Sequence, residues 1–117
     1  MLRTVPCVLH LVTAIIRPSR LDDVHDLIAG LGLTITEVHG VSRQGGHVET
    51  YRGSEYQIEL VPKVRVEVVV EDVDVDRVIA AVTEAARTGR LGDGKIWVTR
   101  VDEVVRVRTG ESGPAAL

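Results

Sequence analysis

Apolar and polar residues alternate in several segments of this chain with the two-residue period of a β-strand. The runs 33–39 and 62–70 show this alternation, and 10–16 is a compact apolar run typical of a central strand. Residues 95–101 and a shorter extended segment at 104–107 complete the predicted strands. In 62–70 one face carries only valines, at 64, 66, 68 and 70, and the other carries Lys63, Arg65 and Glu67. The charged face is therefore predicted to point away from the helices.

Two other segments have the 3.6-residue period of an amphipathic helix. Apolar residues recur at helical spacing over 20–31, where Ser19 is a candidate N-cap and Gly30 and Gly32 end the pattern. A second apolar stripe begins after Asp74 and ends before Thr88-Gly89.

The predicted order is β-α-β-β-α-β, with a short extended segment at the end. Two helices covering one face of a four-stranded antiparallel sheet define a ferredoxin-like α+β sandwich. The other face of the sheet would stay open in a single chain, so its burial against copies of the same chain is predicted. Residues 1–9 are expected to form a leader, 10–112 the domain and 113–117 a flexible tail.

A long polar segment separates the second and third predicted strands. It runs over about 41–58 and includes the glycine-punctuated stretch 46–56 with two tyrosines. Loops of this length inside a small domain are usually functional or disordered. The chain is therefore predicted to act by presenting this loop to a partner.

Composition narrows the class of protein. The 117 residues suffice for one domain, and a formal net charge of -3 argues against a nucleic-acid or anionic-membrane binder. The single cysteine, Cys7, excludes a disulfide framework within the chain. Arg3 and the apolar residues after it resemble a short signal peptide, but Pro6 and His10 interrupt them, which favours a buried first strand.

Candidate chemistry is concentrated near the end of the chain. Arg106 and Arg108 are two residues apart in a predicted extended segment, which would place both guanidinium groups on one side, suitably spaced for a polyphosphate. The turn Gly92-Asp93-Gly94-Lys95 would let backbone N–H groups approach an anion beside a lysine. A solvated strand edge and an ordinary hairpin turn are the alternatives; together the two features predict a nucleotide-phosphate site.

Other kinds of active site find little support. The four histidines and Cys7 show no recognisable zinc spacing, and no nucleophile elbow or paired-carboxylate arrangement is present. A small enzyme acting on a nucleotide remains a minor hypothesis, because no general base is apparent. Trp97 is predicted to be a core or interface residue.

Three separated motifs resemble those of the PII nitrogen-regulatory signal-transduction family. The loop residues 43–56 resemble its T-loop, 88–95 its second signature and 105–111 its C-terminal signature. The stretches 13–18 and 21–24 also fit. The resemblance covers about residues 10–112 and implies a cytoplasmic homotrimer of ferredoxin-like subunits, not an enzyme, with ATP and ADP competing for clefts between neighbouring subunits.

The resemblance also implies residue roles. Thr34, Glu67 and Val69 would lie near the base of ATP or ADP. The full set of nucleotide contacts comes from five parts of the chain: Thr34, Arg43, Gln44, Glu67, Val69, Gly92, Asp93, Gly94, Lys95, Arg106 and Arg108. The effector 2-oxoglutarate would contact Arg17, Gln44 and Lys63, with Gln44 also helping to coordinate Mg²⁺ beside ATP. Tyr56 matches a tyrosine that is uridylylated or adenylylated in many members, and Ser54 a serine phosphorylated in some.

The implied partners are proteins. The T-loop would control an ammonium transporter, a nucleotidyltransferase or a nitrogen-metabolism enzyme, so a membrane is involved only indirectly through a transporter. Ser42 and Gly45 stand where the family motif has Gly and Lys. They favour the alternative, a PII-like paralogue that binds adenine nucleotides but responds to another small-molecule effector.

Overall fold

The computed structural model describes residues 8–41 and 60–117. This part of the chain forms four strands and two α-helices, in the predicted order: β1 (Leu9–Ile16), α1 (Leu21–Leu27), β2 (Thr34–Gly40), β3 (Val61–Glu71), α2 (Val75–Ala86) and β4 (Lys95–Val101). Short 3₁₀ helices span Pro18–Arg20, Asp72–Asp74 and Gly113–Ala116. No helix in the described ranges is long and apolar enough to cross a bilayer.

The strands form one antiparallel sheet in the order β2-β3-β1-β4. Thr13 in β1 lies opposite Glu67 in β3 and Trp97 in β4, and Thr34 in β2 pairs with Glu67 from the other side. With both helices on one face, this topology confirms the predicted ferredoxin-like α+β fold.

The core lies between the sheet and the helices and is aliphatic. The predicted face of β3 is buried, with Val64, Val66, Val68 and Val70 at most 5% exposed. Val24 and Ile28 from the α1 region and Val78 and Val82 from α2 pack onto it. Burial of each such side chain stabilises the fold by about 1.5–3 kcal/mol.

The opposite face of the sheet carries a polar network at its centre. Thr13, only 1% exposed, donates a hydrogen bond from Oγ1 to Glu67 Oε2 at 3.3 Å. Arg65 Nη2 lies 3.2 Å from the same oxygen. The predicted charged face of β3 is therefore confirmed, and two of its charges, Arg65 and Glu67, pair with each other.

The predicted helix 20–31 is too long. Residue Ile28 leaves the helical region with φ -117° and ψ 28°, and α1 ends at Leu27. Ser19 is not an N-cap, because it lies inside the 3₁₀ helix before α1 and no capping side-chain hydrogen bond is formed there. The apolar spacing continues to Ile28, which is 2% exposed, but residues 28–30 form a turn in which Gly30 has φ +96°.

The predicted extended segment 104–107 is not a strand of the sheet. Gly110 has φ +76°, and the chain folds back so that Val105 forms an isolated bridge with Ser112. Gly113 N donates to Val104 O at 3.0 Å, and the 3₁₀ helix Gly113–Ala116 follows. Backbone hydrogen bonds within this segment therefore take the place of pairing with a strand of the sheet. The predicted flexibility of 113–117 stays a prediction.

Most of the predicted T-loop, 42–58, lies outside the described residues, as do residues 1–7 of the predicted leader. The same holds for Arg43, Gln44, Ser54 and Tyr56. The described chain reaches the loop at Val41 and leaves it at Leu60, next to the ends of β2 and β3.

Candidate functional site

The connection between α2 and β4 forms a tight glycine turn against the end of β1. Gly94 has φ +101°, and a Cβ built there would lie 1.7 Å from Ile15 O. Gly92 has φ +93°, and its Cβ would lie 3.3 Å from Arg17 Nη2 and 3.5 Å from Lys63 Nζ. The sequence needs glycine at 94 both for the left-handed backbone and for the close approach to β1.

Asp93 holds this turn together. Its Oδ2 accepts from Thr88 N at 2.8 Å and from Gly89 N at 2.9 Å. Its Oδ1 accepts from Arg17 Nε at 3.0 Å and from the Thr88 hydroxyl. The Thr88 hydroxyl, with the Arg17 guanidinium next, holds the pKa of Asp93 well below its usual range. The carboxylate is therefore ionised at neutral pH, and both of its oxygens are in use.

Two cationic side chains from other parts of the chain donate hydrogen bonds to the same turn. Arg17, directly after β1, donates from Nη2 to Leu91 O at 2.5 Å in addition to its ion pair with Asp93. Lys63, near the start of β3, donates from Nζ to Gly92 O. The structure thus brings together Arg17 and Lys63, which were predicted for 2-oxoglutarate, and the turn predicted for phosphates.

A cavity of about 410 Å³ lies behind the turn. Asp93, Gly94 and Lys95 line it on one side, and Thr83 and Arg87 from the end of α2 line it on the other. Lys95 and Arg87 are exposed. This side of the turn therefore offers two cationic side chains within reach of an anion.

The residues predicted to contact the base line a different cavity. Thr34, Glu67 and Val69 share a groove of about 500 Å³ with Leu11 of β1. Ile15 lines the first cavity, and Leu11 lies four residues before it in β1. These two lining residues are therefore roughly 13 Å apart along the strand. One chain therefore brings the predicted base contacts together, but places them apart from the predicted phosphate turn.

Arg106 lies at the edge of this groove. Its guanidinium donates to Leu117 O at 2.7 Å and pairs with Glu111 at 3.2 Å, and Leu117 is one of the residues lining the groove. Arg108 is exposed in the turn 107–109. The prediction that both arginines project from one strand is wrong, since the chain reverses after Arg106 through the bond from Gly110 N to Arg106 O.

Sequence reasoning missed the internal role of Asp93. A short acidic side chain four to five residues after Thr88-Gly89 is a pattern in which carboxylates accept from nearby backbone N–H groups, and this signal was available. The contacts from Arg17 and Lys63 had no such signal, because those residues are distant in sequence and meet the turn only through the sheet.

The described residues form a small ferredoxin-like sandwich whose glycine turn is hydrogen-bonded by two cationic side chains, Arg17 and Lys63. The family model described as nitrogen regulatory protein P-II matches residues 9–111. The chain is 52% identical over 109 residues to nitrogen regulatory protein P-II of Azospirillum brasilense, covering 91% of this chain and 97% of that protein. It is 48% identical over 112 residues to nitrogen regulatory protein GlnK of Escherichia coli K12, covering 93% and 100%.

Solved structures agree. The structure of Bacillus subtilis GlnK is 34% identical with a TM-score of 0.78, covering 94% of this chain and 99% of that one. Arabidopsis thaliana PII bound to citrate is 37% identical with a TM-score of 0.77, covering 94% and 92%. The chain belongs to the nitrogen regulatory protein P-II family, and the predicted resemblance is confirmed. The relatives are named as regulatory proteins.

Proposed function

We propose that this protein is a PII-type signal-transduction regulator that binds ATP or ADP and 2-oxoglutarate and controls target proteins through its T-loop. The observation that carries the proposal is the convergence of Arg17 and Lys63 on the glycine turn at 91–93. It places the two cations implied for a dicarboxylate beside the turn implied for phosphates. A ligand that changes these contacts would bind close to the end of β2 and the start of β3, the two strands that the T-loop connects.

The nucleotide site is proposed to be built from two subunits of a homotrimer. One subunit supplies Gly92–Lys95, and its neighbour supplies Thr34, Glu67 and Val69 with Arg106 and Arg108. The separation of the two sets on a single chain supports this division. The open sheet face, where Trp97 is 38% exposed, offers a surface for self-association.

Regulation is proposed to follow from the state of the T-loop. Arg43 and Gln44 at its base complete the site, with Gln44 joining Mg²⁺ and 2-oxoglutarate, and Tyr56 and Ser54 are the candidate modification sites. Ligands that bind one loop conformation better than another shift its population without chemistry on the ligand. The targets would be an ammonium transporter, a nucleotidyltransferase or an enzyme of nitrogen metabolism, met in the cytoplasm.

Calorimetry on the full chain tests the proposal. ATP and ADP should each bind and compete, and 2-oxoglutarate should bind only when Mg²⁺ and ATP are present. Lys63→Ala should remove the keto-acid response, since it removes the cation proposed to pair with the dicarboxylate. Lys95→Ala should weaken both nucleotides, since it removes a charge-assisted phosphate contact. If neither ATP nor ADP binds, the proposal is refuted.

A second candidate has one structural observation in its favour. Arg17 and Lys63 are already bonded to the turn, so an anion must displace or share those contacts to bind. A PII-like paralogue that binds adenine nucleotides and answers to a different effector fits this arrangement, as it fits Ser42 and Gly45. Nucleotide binding without any keto-acid response in the same titrations would select it, and appreciable ATP turnover would instead revive the hypothesis of a small enzyme.

A further inference from the structure

We infer that Asp93 is a positioning residue of the phosphate turn: it fixes Thr88, Gly89 and Arg17 and does not touch the nucleotide. The inference rests on the proposed nucleotide site and changes the part Asp93 plays in it. Both carboxylate oxygens already accept two hydrogen bonds each from this chain. A carboxylate so engaged has little accepting capacity left for a ligand or a metal ion.

Charge leads to the same conclusion. A free carboxylate facing a phosphate would repel it, whereas one neutralised by Arg17 can sit inside an anion site without that cost. The side chain of Asp93 is 22% exposed and that of Arg17 is 26% exposed, so the pair is largely covered by the turn. The negative charge of Asp93 is therefore balanced by Arg17 within the protein.

The contacts of Asp93 join three parts of the site. Thr88 and Gly89 follow the end of α2, Arg17 follows β1, and Arg17 also holds Leu91 O. This frame borders the glycine turn 92–95, and the orientation of backbone N–H groups in such a turn decides how well they bind an anion. Loss of the Asp93 carboxylate would remove the contacts to Thr88 and Gly89 on one side of the turn and to Arg17 on the other.

Asp93→Asn is a sharp test because it keeps the shape and removes one acceptor. If the amide nitrogen replaces Oδ2, it faces two backbone N–H donors, and if it replaces Oδ1, it faces the Arg17 Nε–H donor. Either orientation leaves a donor unmatched. Asp102→Asn is the matched control, because Asp102 is exposed and follows β4 away from the turn.

Isothermal calorimetry with ADP, with ATP and with Mg-ATP separates the roles. If Asp93 positions the turn, Asp93→Asn should lower the affinity for ADP, ATP and Mg-ATP equally, by about tenfold or more. Tenfold is the low end of the loss seen when a residue that supports a metal ligand is replaced. A loss confined to Mg-ATP would make Asp93 a metal ligand, and a gain in affinity would mean that its charge faces the phosphates. Either result, or unchanged affinity, overturns the inference.

Amide hydrogen exchange gives a readout independent of the nucleotide. The Thr88 and Gly89 amides of the ligand-free protein should exchange faster in Asp93→Ala, which removes both acceptor oxygens, and at the wild-type rate in Asp102→Ala. If the wild-type protein binds no adenine nucleotide, the proposed function fails, yet this measurement still decides whether Asp93 orders the turn. Unchanged exchange at both amides refutes the inference.

Two further variants keep the test decisive if Asp93→Asn does not fold. Thr88→Val removes the hydroxyl that donates to Asp93 and accepts from Arg90 N at 3.3 Å, and it should weaken ADP about threefold, in the same direction. Unchanged ADP affinity would then count against the inference. Arg17→Lys keeps the charge but loses the two-pronged contact. Combined with Asp93→Asn it should cost less than the two separate losses together, because both changes break one interaction, and full additivity would contradict the assigned pairing.

Discussion

Replacement of Gly94 by alanine should damage the protein more than replacement of any exposed glycine with a similar backbone. The new Cβ would lie 1.7 Å from Ile15 O and 2.8 Å from its carbonyl carbon, distances that real Cβ atoms essentially never show. The carbonyl belongs to β1, which is held on both sides by β3 and β4. Relief of the overlap therefore requires the start of β4 to move by more than about 1 Å.

The cost has two parts. A non-glycine residue at φ +101° carries about 1–2 kcal/mol of backbone strain, and forced displacement in a packed region costs about 1–3 kcal/mol more. The expected loss in the free energy of unfolding is about 2–5 kcal/mol. For a chain of 117 residues this lowers Tm by about 8–20 °C.

Gly89→Ala is the matched control. Gly89 has φ +85°, but nothing lies within 4 Å of a Cβ built there, so only the strain of about 1–2 kcal/mol applies. Urea unfolding of both variants at one fixed protein concentration measures the difference, since self-association would make stability depend on concentration. A difference below about 0.5 kcal/mol would refute the argument that close approach to Ile15, rather than backbone conformation, requires glycine at 94.

Three other predictions concern the core, the nucleotide site and pH. Val82→Ala, at a position 2% exposed, should cost about 2 kcal/mol in urea unfolding, whereas Val73→Ala, at 84% exposure, should stay within about 0.5 kcal/mol; similar losses would contradict the assigned core. Arg106→Ala should weaken ATP and ADP by about tenfold or more in calorimetry, because a charge-assisted phosphate contact is lost, while Arg77→Ala on α2 should leave both affinities unchanged. The folded-state pKa of Asp93 is lowered, so its stabilising contribution is complete well above the ordinary value of 3.8 and is lost as pH falls below that value. The difference in Tm between wild type and Asp93→Asn should therefore be constant from about pH 8 to pH 6 and shrink in acid; a difference that grows on acidification would reverse the sign of the argument.

The hydrophobic pattern identified the strands of the sheet and both helices, by alternation in β2 and β3, by a continuous apolar run in β1 and by helical spacing in α1 and α2. The valine face of β3 is the clearest case: its alternation requires one buried face, and the register follows from it. Periodicity failed at 28–31 and at 104–107. There the chain's course is decided by the turn that follows Leu27 and by hydrogen bonds within the segment 104–113, and neither produces a hydrophobic period.

The site shows the same division. The glycines and lysine of 92–95 were found from sequence as a candidate anion turn, since residue type and local spacing suffice for that prediction. The side chains that contact this turn could not be predicted in the same way. The resemblance implies that Asp93 contacts the nucleotide, whereas the structure shows its carboxylate bonded to Thr88, Gly89 and Arg17.

The sequence by itself determined the order of elements, the aliphatic core and the family, because these depend on local period and on motifs that are short and contiguous. Tertiary structure alone decided that Arg17 and Lys63 meet one turn, and that Thr34, Glu67 and Val69 line a separate groove. The physical reason is that antiparallel pairing brings the end of β1 beside the start of β3. Residues far apart along the chain become neighbours there through backbone hydrogen bonds that carry no signature in the side chains.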